Sequence, residues 1–214
     1  MLFQELDNIV LIQLSDMDSN VYLIGDTIID SGTGFNFTRL RDVLRVLKKD
    51  LKDIKQIINT HGHFDHIGGN GYFMNAKVFI HKLDAPIIEK GDTELSAADF
   101  FDGKLYPRNV ENKLNDGDRI TTKNMDLEVI HTPGHTSGSI CLYNEKDKIL
   151  FSGDTVFANG VGRTDFINSD PKALAESLER ISKLDIKKIL PGHGPVFNKK
   201  NISAVMKNVN DDFF

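Results

Sequence analysis

One cysteine, Cys141, is all that the 214-residue sequence contains, so no intrachain disulfide can form and a small secreted disulfide scaffold is excluded. It lies in the apolar run Ser139 to Tyr143 and reads as a buried small hydrophobe rather than a reactive thiol. No apolar run reaches the ~20 residues that a membrane-spanning helix needs. The first ten residues, MLFQELDNIV, carry acidic side chains where a secretory leader has a basic start and an unbroken apolar stretch. A soluble cytoplasmic protein is the expectation. A basic block is also missing: the formal net charge is -5, and a nucleic-acid groove needs concentrated positive charge. With no low-complexity linker and no short repeat, the length fits one domain over residues 1–214 better than two small ones.

What is present is an ordinary core-forming composition, 40% apolar, patterned in short runs. Val10 to Leu14, Val21 to Ile24 and Thr27 to Asp30 read as strands separated by turn-like residues. Phe37, Leu40, Leu44, Leu47 and Leu51 recur at three- and four-residue steps and predict a helix. Further strands are expected at Ile54 to Asn59, Lys77 to Ile80, Leu127 to Ile130, Ser139 to Tyr143, Ile149 to Phe151 and Lys187 to Leu190. Weaker helical patterns cover Leu83 to Lys90 and Thr93 to Phe101. Asp170-Pro171 opens a helix with a side-chain cap and a first-turn proline, and Leu174, Leu178, Ile181 and Leu184 form its apolar stripe. A last helix is expected over Asn201 to Val209. Mixed strands and helices imply an α/β fold with helices packed outside sheets.

The polar residues cluster after strands. Ile54 to Asn59 runs into THGHFDH at 60–66, Leu127 to Ile130 into HTPGH at 131–135, Ile149 to Phe151 into SGD at 152–154, and Lys187 to Leu190 into PGHGP at 191–195. Loops at one edge of a sheet can converge on a single cleft. Imidazole and carboxylate are good ligands for zinc, iron and manganese, and a thiolate set is absent. His61 and His63, two residues apart in an extended segment, can point the same way, while Asp65 and His66 fall on the next turn within reach of a second ion. Three histidines within six residues are weak evidence alone; His135, Asp154 and His193, each in its own glycine-bounded loop, strengthen it.

The HxHxDH run at 61–66, Gly68-Gly69, HTPGHTSGS at 131–139, SGDTVF at 152–157 and LPGHGP at 190–195 together resemble the metallo-β-lactamase superfamily, in its glyoxalase II-like branch. The resemblance implies a four-layer αβ/βα sandwich: two mixed β-sheets face to face, helices on the outer faces, and a site for two divalent ions at one edge. By that pattern His61, His63 and His135 hold one ion, Asp65, His66 and His193 the other, and Asp154 bridges them. Zinc is the usual ion, with iron or manganese in some relatives. Two cations sharing a water generate hydroxide near neutral pH, which attacks a carbonyl, with Asp65 and Asp154 as the catalytic carboxylates.

Asp154 stands where secreted β-lactamases commonly have cysteine, and the N-terminus is not a leader, so antibiotic degradation is not expected. The run GVGRTDF at 160–166 resembles a segment of glyoxalase II-like hydrolases and persulfide dioxygenases. In it Arg163 either contacts substrate or pairs with a neighbouring acid such as Asp165. Only 21 residues follow His193, whereas full-length glyoxalase II adds a helical domain that supplies much of its glutathione contact. The reading is therefore a compact metallo-hydrolase for a thioester or related ester, its partner a small molecule such as a thiol conjugate, with neither nucleic acid nor membrane. The alternatives are a mononuclear iron persulfide dioxygenase using His61, His135 and Asp154, and a non-enzymatic metal- or partner-binding module. His131 reads as structural and His81 as a surface or helix-start residue. Phe213-Phe214 read as packing or a homo-oligomer contact.

Overall fold

The computed structural model describes residues 2–200. The helix expected over Asn201 to Val209 and the Phe213-Phe214 pair lie outside the described residues. Seven strands form the first sheet in sequence order: β1 (Phe3–Leu6), β2 (Ile9–Ile12), β3 (Val21–Ile24), β4 (Thr27–Ile29), β5 (Gln56–Ile58), β6 (Lys77–His81) and β7 (Asn112–Leu114). The first four pair antiparallel as a meander, and β4 to β7 pair parallel. Parallel neighbours need crossovers, which carry α1 (Phe37–Val46) after β4, the short turn α2 (Phe64–Ile67) after β5 and α3 (Ala85–Lys90) after β6.

The second sheet has β8 (Arg119–Thr121), β9 (Asp126–His131), β10 (Ile140–Asn144) and β11 (Ile149–Gly153). A small hairpin, β12 (Val156–Phe157) and β13 (Gly160–Val161), follows; then α4 (Pro171–Ser182) crosses to β14 (Lys188–Pro191), which pairs parallel with β11. Because β10 is antiparallel to both β9 and β11, the strands β9, β11 and β14 all point the same way. Their C-terminal ends share one edge, and that places the site.

Period-two alternation builds the layers. Ile57 faces the helices while Ile58 faces the other sheet; Leu142 and Phe151 face inward while Cys141 and Leu150 face α4. Both faces of these strands are buried, so they read as continuous apolar runs. Three apolar clusters result: helices on first sheet, sheet on sheet, and second sheet on α4. This is the expected four-layer αβ/βα sandwich. Tyr22 and Phe151 meet edge to face between the sheets, ring centroids 5.3 Å apart.

Several local expectations are corrected. The first helix ends at Val46, not Leu51, because Lys48 turns left-handed (φ 56), although Leu47 and Leu51 still pack on the core. Of Thr93 to Phe101 only Ala98–Phe101 is helical, a single tight turn. Strands β1, β7 and β8 carry mostly polar or mixed residues and had no alternation to announce them. His81 is buried rather than on the surface: its ring stacks on His131 with centroids 4.0 Å apart. Among the described residues no helix is long and apolar enough to cross a membrane.

Candidate metal centre

The site assembles from the ends of four strands. After β5 the chain stays extended through His63 (φ -76, ψ 149) and then winds into α2, which brings Asp65 and His66 round to the same cleft. His135 follows β9, Asp154 follows β11 through a left-handed Gly153 (φ 48), and His193 follows β14. Backbone bonds lock these loops together: Ile140 N–H donates to the Thr60 carbonyl at 2.9 Å, and Gly192 N–H to the Gly153 carbonyl at 2.7 Å. At Gly192 a Cβ would lie 2.1 Å from Asp154 Oδ1 and 2.8 Å from His66 Cε1, so only glycine fits that approach.

All seven sequence-predicted donors are brought together. Three triads, His61–His63–His135, His61–His66–Asp154 and Asp65–His66–His193, each place one donor atom per residue within 4.8 Å of the others. His63 Nδ1 lies 2.9 Å from His135 Nε2 and His66 Nε2 lies 3.3 Å from His193 Nε2. Asp154 reaches both groups: Oδ1 is 3.3 Å from His66 Nε2, and Oδ2 is 3.6 Å from both His135 Nε2 and His193 Nε2.

Partners behind the cluster fix which nitrogen faces it. Carbonyl and carboxylate oxygens only accept, so His135 Nδ1 donates to the Arg163 carbonyl at 2.7 Å and His66 Nδ1 to Asp30 Oδ2 at 2.8 Å. Thr60 spends its hydroxyl proton on Asp30 Oδ2 and so accepts from His61 Nδ1 at 3.1 Å. Each of these rings turns its Nε2 toward the cleft. His61 Nε2 and Asp154 Oδ1 are buried without any hydrogen-bond partner. Buried polar atoms are almost always paired, and oxygen and nitrogen donors left open toward a common centre fit divalent cations.

Electrostatics agree. Burial, then the neighbouring His66 and His135, hold His61 well below the usual imidazole range; burial and His135 push His63 down to about 3. Burial alone would lower His66, but Asp154, Asp30 and Asp65 around it hold it well above its ordinary value. Burial would raise Asp154, yet His66 and His193 keep it well below; Asp65 is lowered by the same two histidines against its own burial. His193 is raised, Asp154 and Asp65 outweighing burial. The anionic half of the cluster thus traps protons wherever a cation does not neutralise it.

The metallo-beta-lactamase superfamily model matches residues 14–193, most of the chain. The chain belongs to that superfamily. A probable metallo-hydrolase of Methanocaldococcus jannaschii is 37% identical over 86% of this chain and 92% of its own length. An acyl-coenzyme A thioesterase of Gallus gallus is 29% identical over 89% and 77%, and a hydroxyacylglutathione hydrolase of Bdellovibrio bacteriovorus 31% over 83% and 63%. Among solved structures, a B3 metallo-beta-lactamase superposes with TM-score 0.80 at 26% identity, covering 93% of this chain and 98% of that one. A di-iron-bound protein superposes with TM-score 0.77 at 29% identity, covering 91% and 97%.

Two residues outside the superfamily motifs quoted above support the site. Asp30, left-handed (φ 58) and buried at the end of β4, accepts from Thr60 N–H, Thr60 hydroxyl and His66 Nδ1, each at 2.8 Å. Asp84, fully buried, accepts from Gly62 N–H at 2.8 Å and Thr136 hydroxyl at 2.7 Å, so it ties the loop of His61 and His63 to the loop of His135; burial pushes its carboxyl up. An aspartate closing the apolar strand Thr27 to Asp30 was the available signal for the first; nothing local marked the second. His131 is structural, donating Nε2–H to the Ser137 carbonyl at 2.9 Å. Arg163 sits at the cleft rim, paired with Asp165 at 2.7 and 2.9 Å.

Asp30→Asn keeps a residue tolerant of the left-handed backbone while removing the charge behind His66. It should weaken divalent-ion binding by about 10–100-fold; equal affinity by competition with a chelating dye would contradict this role. Because the surrounding carboxylates raise His66 and His193 above the usual imidazole range, ion loading should expel protons from them, and affinity should rise with pH and fall in acid. Calorimetry in two buffers of different ionisation enthalpy reads this, and buffer-independent heats would contradict it.

Proposed function

We propose that the chain is a metal-dependent hydrolase that cleaves a thioester or a related carboxylic ester. The carrying observation is the character of the cleft over the seven donors. Among the described residues its lining contains histidine, aspartate, phenylalanine, alanine, valine and one arginine, but no lysine, tyrosine or cysteine. A leaving group that departs as a stable anion, as a thiolate does, needs no such acid. The names of two relatives, an acyl-coenzyme A thioesterase and a hydroxyacylglutathione hydrolase, point the same way.

In this reading His61, His63 and His135 hold one ion, Asp65, His66 and His193 a second, and Asp154 lies between them. When bound, two divalent ions would lower the pKa of water toward neutrality and act as Lewis acids toward a carbonyl oxygen. Asp65 and Asp154 remain ionised because imidazoles surround them, so each can accept a hydrogen bond that orients an entering water. Asp30 and Asp84 keep the donors aimed. Arg163 contacts the substrate at the rim through its stem and the face of its guanidinium.

The test is turnover by zinc-loaded protein of S-lactoylglutathione and acyl-coenzyme A thioesters, with a β-lactam and glutathione persulfide alongside. Thioester hydrolysis is expected, lost by about a hundredfold or more in His66→Ala, since even residues behind a ligand are worth 10–100-fold. Iron-dependent oxygen uptake with persulfide and no thioester cleavage would overturn the proposal in favour of the dioxygenase reading.

A further inference from the structure

The donors lie at the bottom of a slot of about 240 Å³ whose walls are largely hydrocarbon. One wall is the turn Ala98–Phe101, carrying Phe100 and Phe101. The residues flanking that turn, Ala97 (φ 54) and Asp102 (φ 50), are both left-handed, a conformation uncommon for residues with a side chain and found where the surrounding structure imposes it. The imposing contacts are visible. Phe64 N–H, one residue past His63, donates to the Ser96 carbonyl at 2.8 Å, and the Phe64 ring packs 5.9 Å from Phe101.

The opposite wall is Arg163 and Phe166, held to the site through the bond from His135 to the Arg163 carbonyl. The Phe166 ring lies 4.7 Å from the His63 ring, and the Arg163 guanidinium lies 4.7 Å from Phe166 and 5.8 Å from Phe100. Phe157 flanks the far end, 6.0 Å from His193. Asp165 matches the charge of Arg163 with two bonds, so the guanidinium offers a flat face more than a free cation. Phe100 is 65% exposed, a large apolar ring held in water by a constrained turn at the mouth of the site. Covering it with hydrocarbon is favourable.

We infer that the acyl half of the substrate is an apolar chain or ring seated between Phe100 and Phe166, with its carbonyl at the donor cluster, in preference to a hydroxylated acyl group. This rests on the hydrolase reading for the bond that is cut, and on the slot alone for the group that is held. A slot of about 240 Å³ has room for a group of hexanoyl or benzoyl size.

The experiment compares thioesters of one small thiol, N-acetylcysteamine, bearing acetyl, butyryl, hexanoyl, benzoyl and lactoyl groups, on the zinc-loaded protein. It also measures binding of hexanoate, acetate and lactate by titration. A buried methylene is worth about fourfold, so kcat/KM for hexanoyl should exceed that for acetyl by at least about tenfold, with lactoyl no better than acetyl. Hexanoate should bind more tightly than lactate. Phe100→Ala should shrink the hexanoyl-to-acetyl ratio by about threefold or more, and Phe100→Leu should restore most of it. Turnover with equal kcat/KM across the series, or a lactoyl preference, would overturn the inference and leave the hydrolase reading standing. No turnover of any thioester, with the hexanoate preference intact, would overturn the hydrolase reading and leave the slot assignment standing.

Discussion

A buried carboxylate at the end of β4 holds the rest of the centre in place. Asp30 sits in a left-handed backbone and has three donors aimed at it: the Thr60 amide, the Thr60 hydroxyl and His66 Nδ1. Through Thr60 it also sets His61, whose Nδ1 bonds the same hydroxyl. One side chain therefore fixes the Nδ1 side of two imidazoles, from either end of the HxHxDH run, so that their Nε2 atoms face the cleft. An unpaired polar group in this position would be costly; three hydrogen bonds, one of them from His66, offset it.

The sheets supply the other half of the constraint. β9, β11 and β14 run the same way, so His135, Asp154 and His193 emerge at one edge, and the backbone bond from Ile140 to Thr60 joins that edge to the loop after β5. The donors come from loops, but the loops are short and each is tied to a buried strand end. Such a frame can hold like-charged and unpaired groups close together because the sandwich is packed on both sides of each sheet.

Much of this was legible in the sequence. Apolar runs such as Ile54 to Asn59 and Ile149 to Phe151 announce strands buried on both faces, and glycine-bounded His and Asp after them announce the donors. The unreadable parts have physical reasons. Strands β7 and β8 are short and largely polar, so no alternation marks them. His81 looked like a surface residue because stacking on His131, fifty positions away in sequence, is a tertiary contact. Asp84 acts across loops from β5 and β9, and no local spacing encodes that. Arg163 has its sequence neighbour Asp165 as partner and also meets the phenylalanines of the cleft, a combination only the fold reveals.

The chemistry follows from how these parts combine: donors left without hydrogen bonds, carboxylates kept ionised, and a hydrocarbon-walled slot above them. The central claim is that the open donors hold two divalent ions. Anomalous X-ray scattering at the zinc edge from crystals of the zinc-loaded protein tests it most directly. Two peaks are predicted roughly 3.5–4 Å apart, one against His61, His63 and His135 and one against Asp65, His66 and His193, with Asp154 between. A single peak in the cleft, or none among these seven residues, would contradict the account.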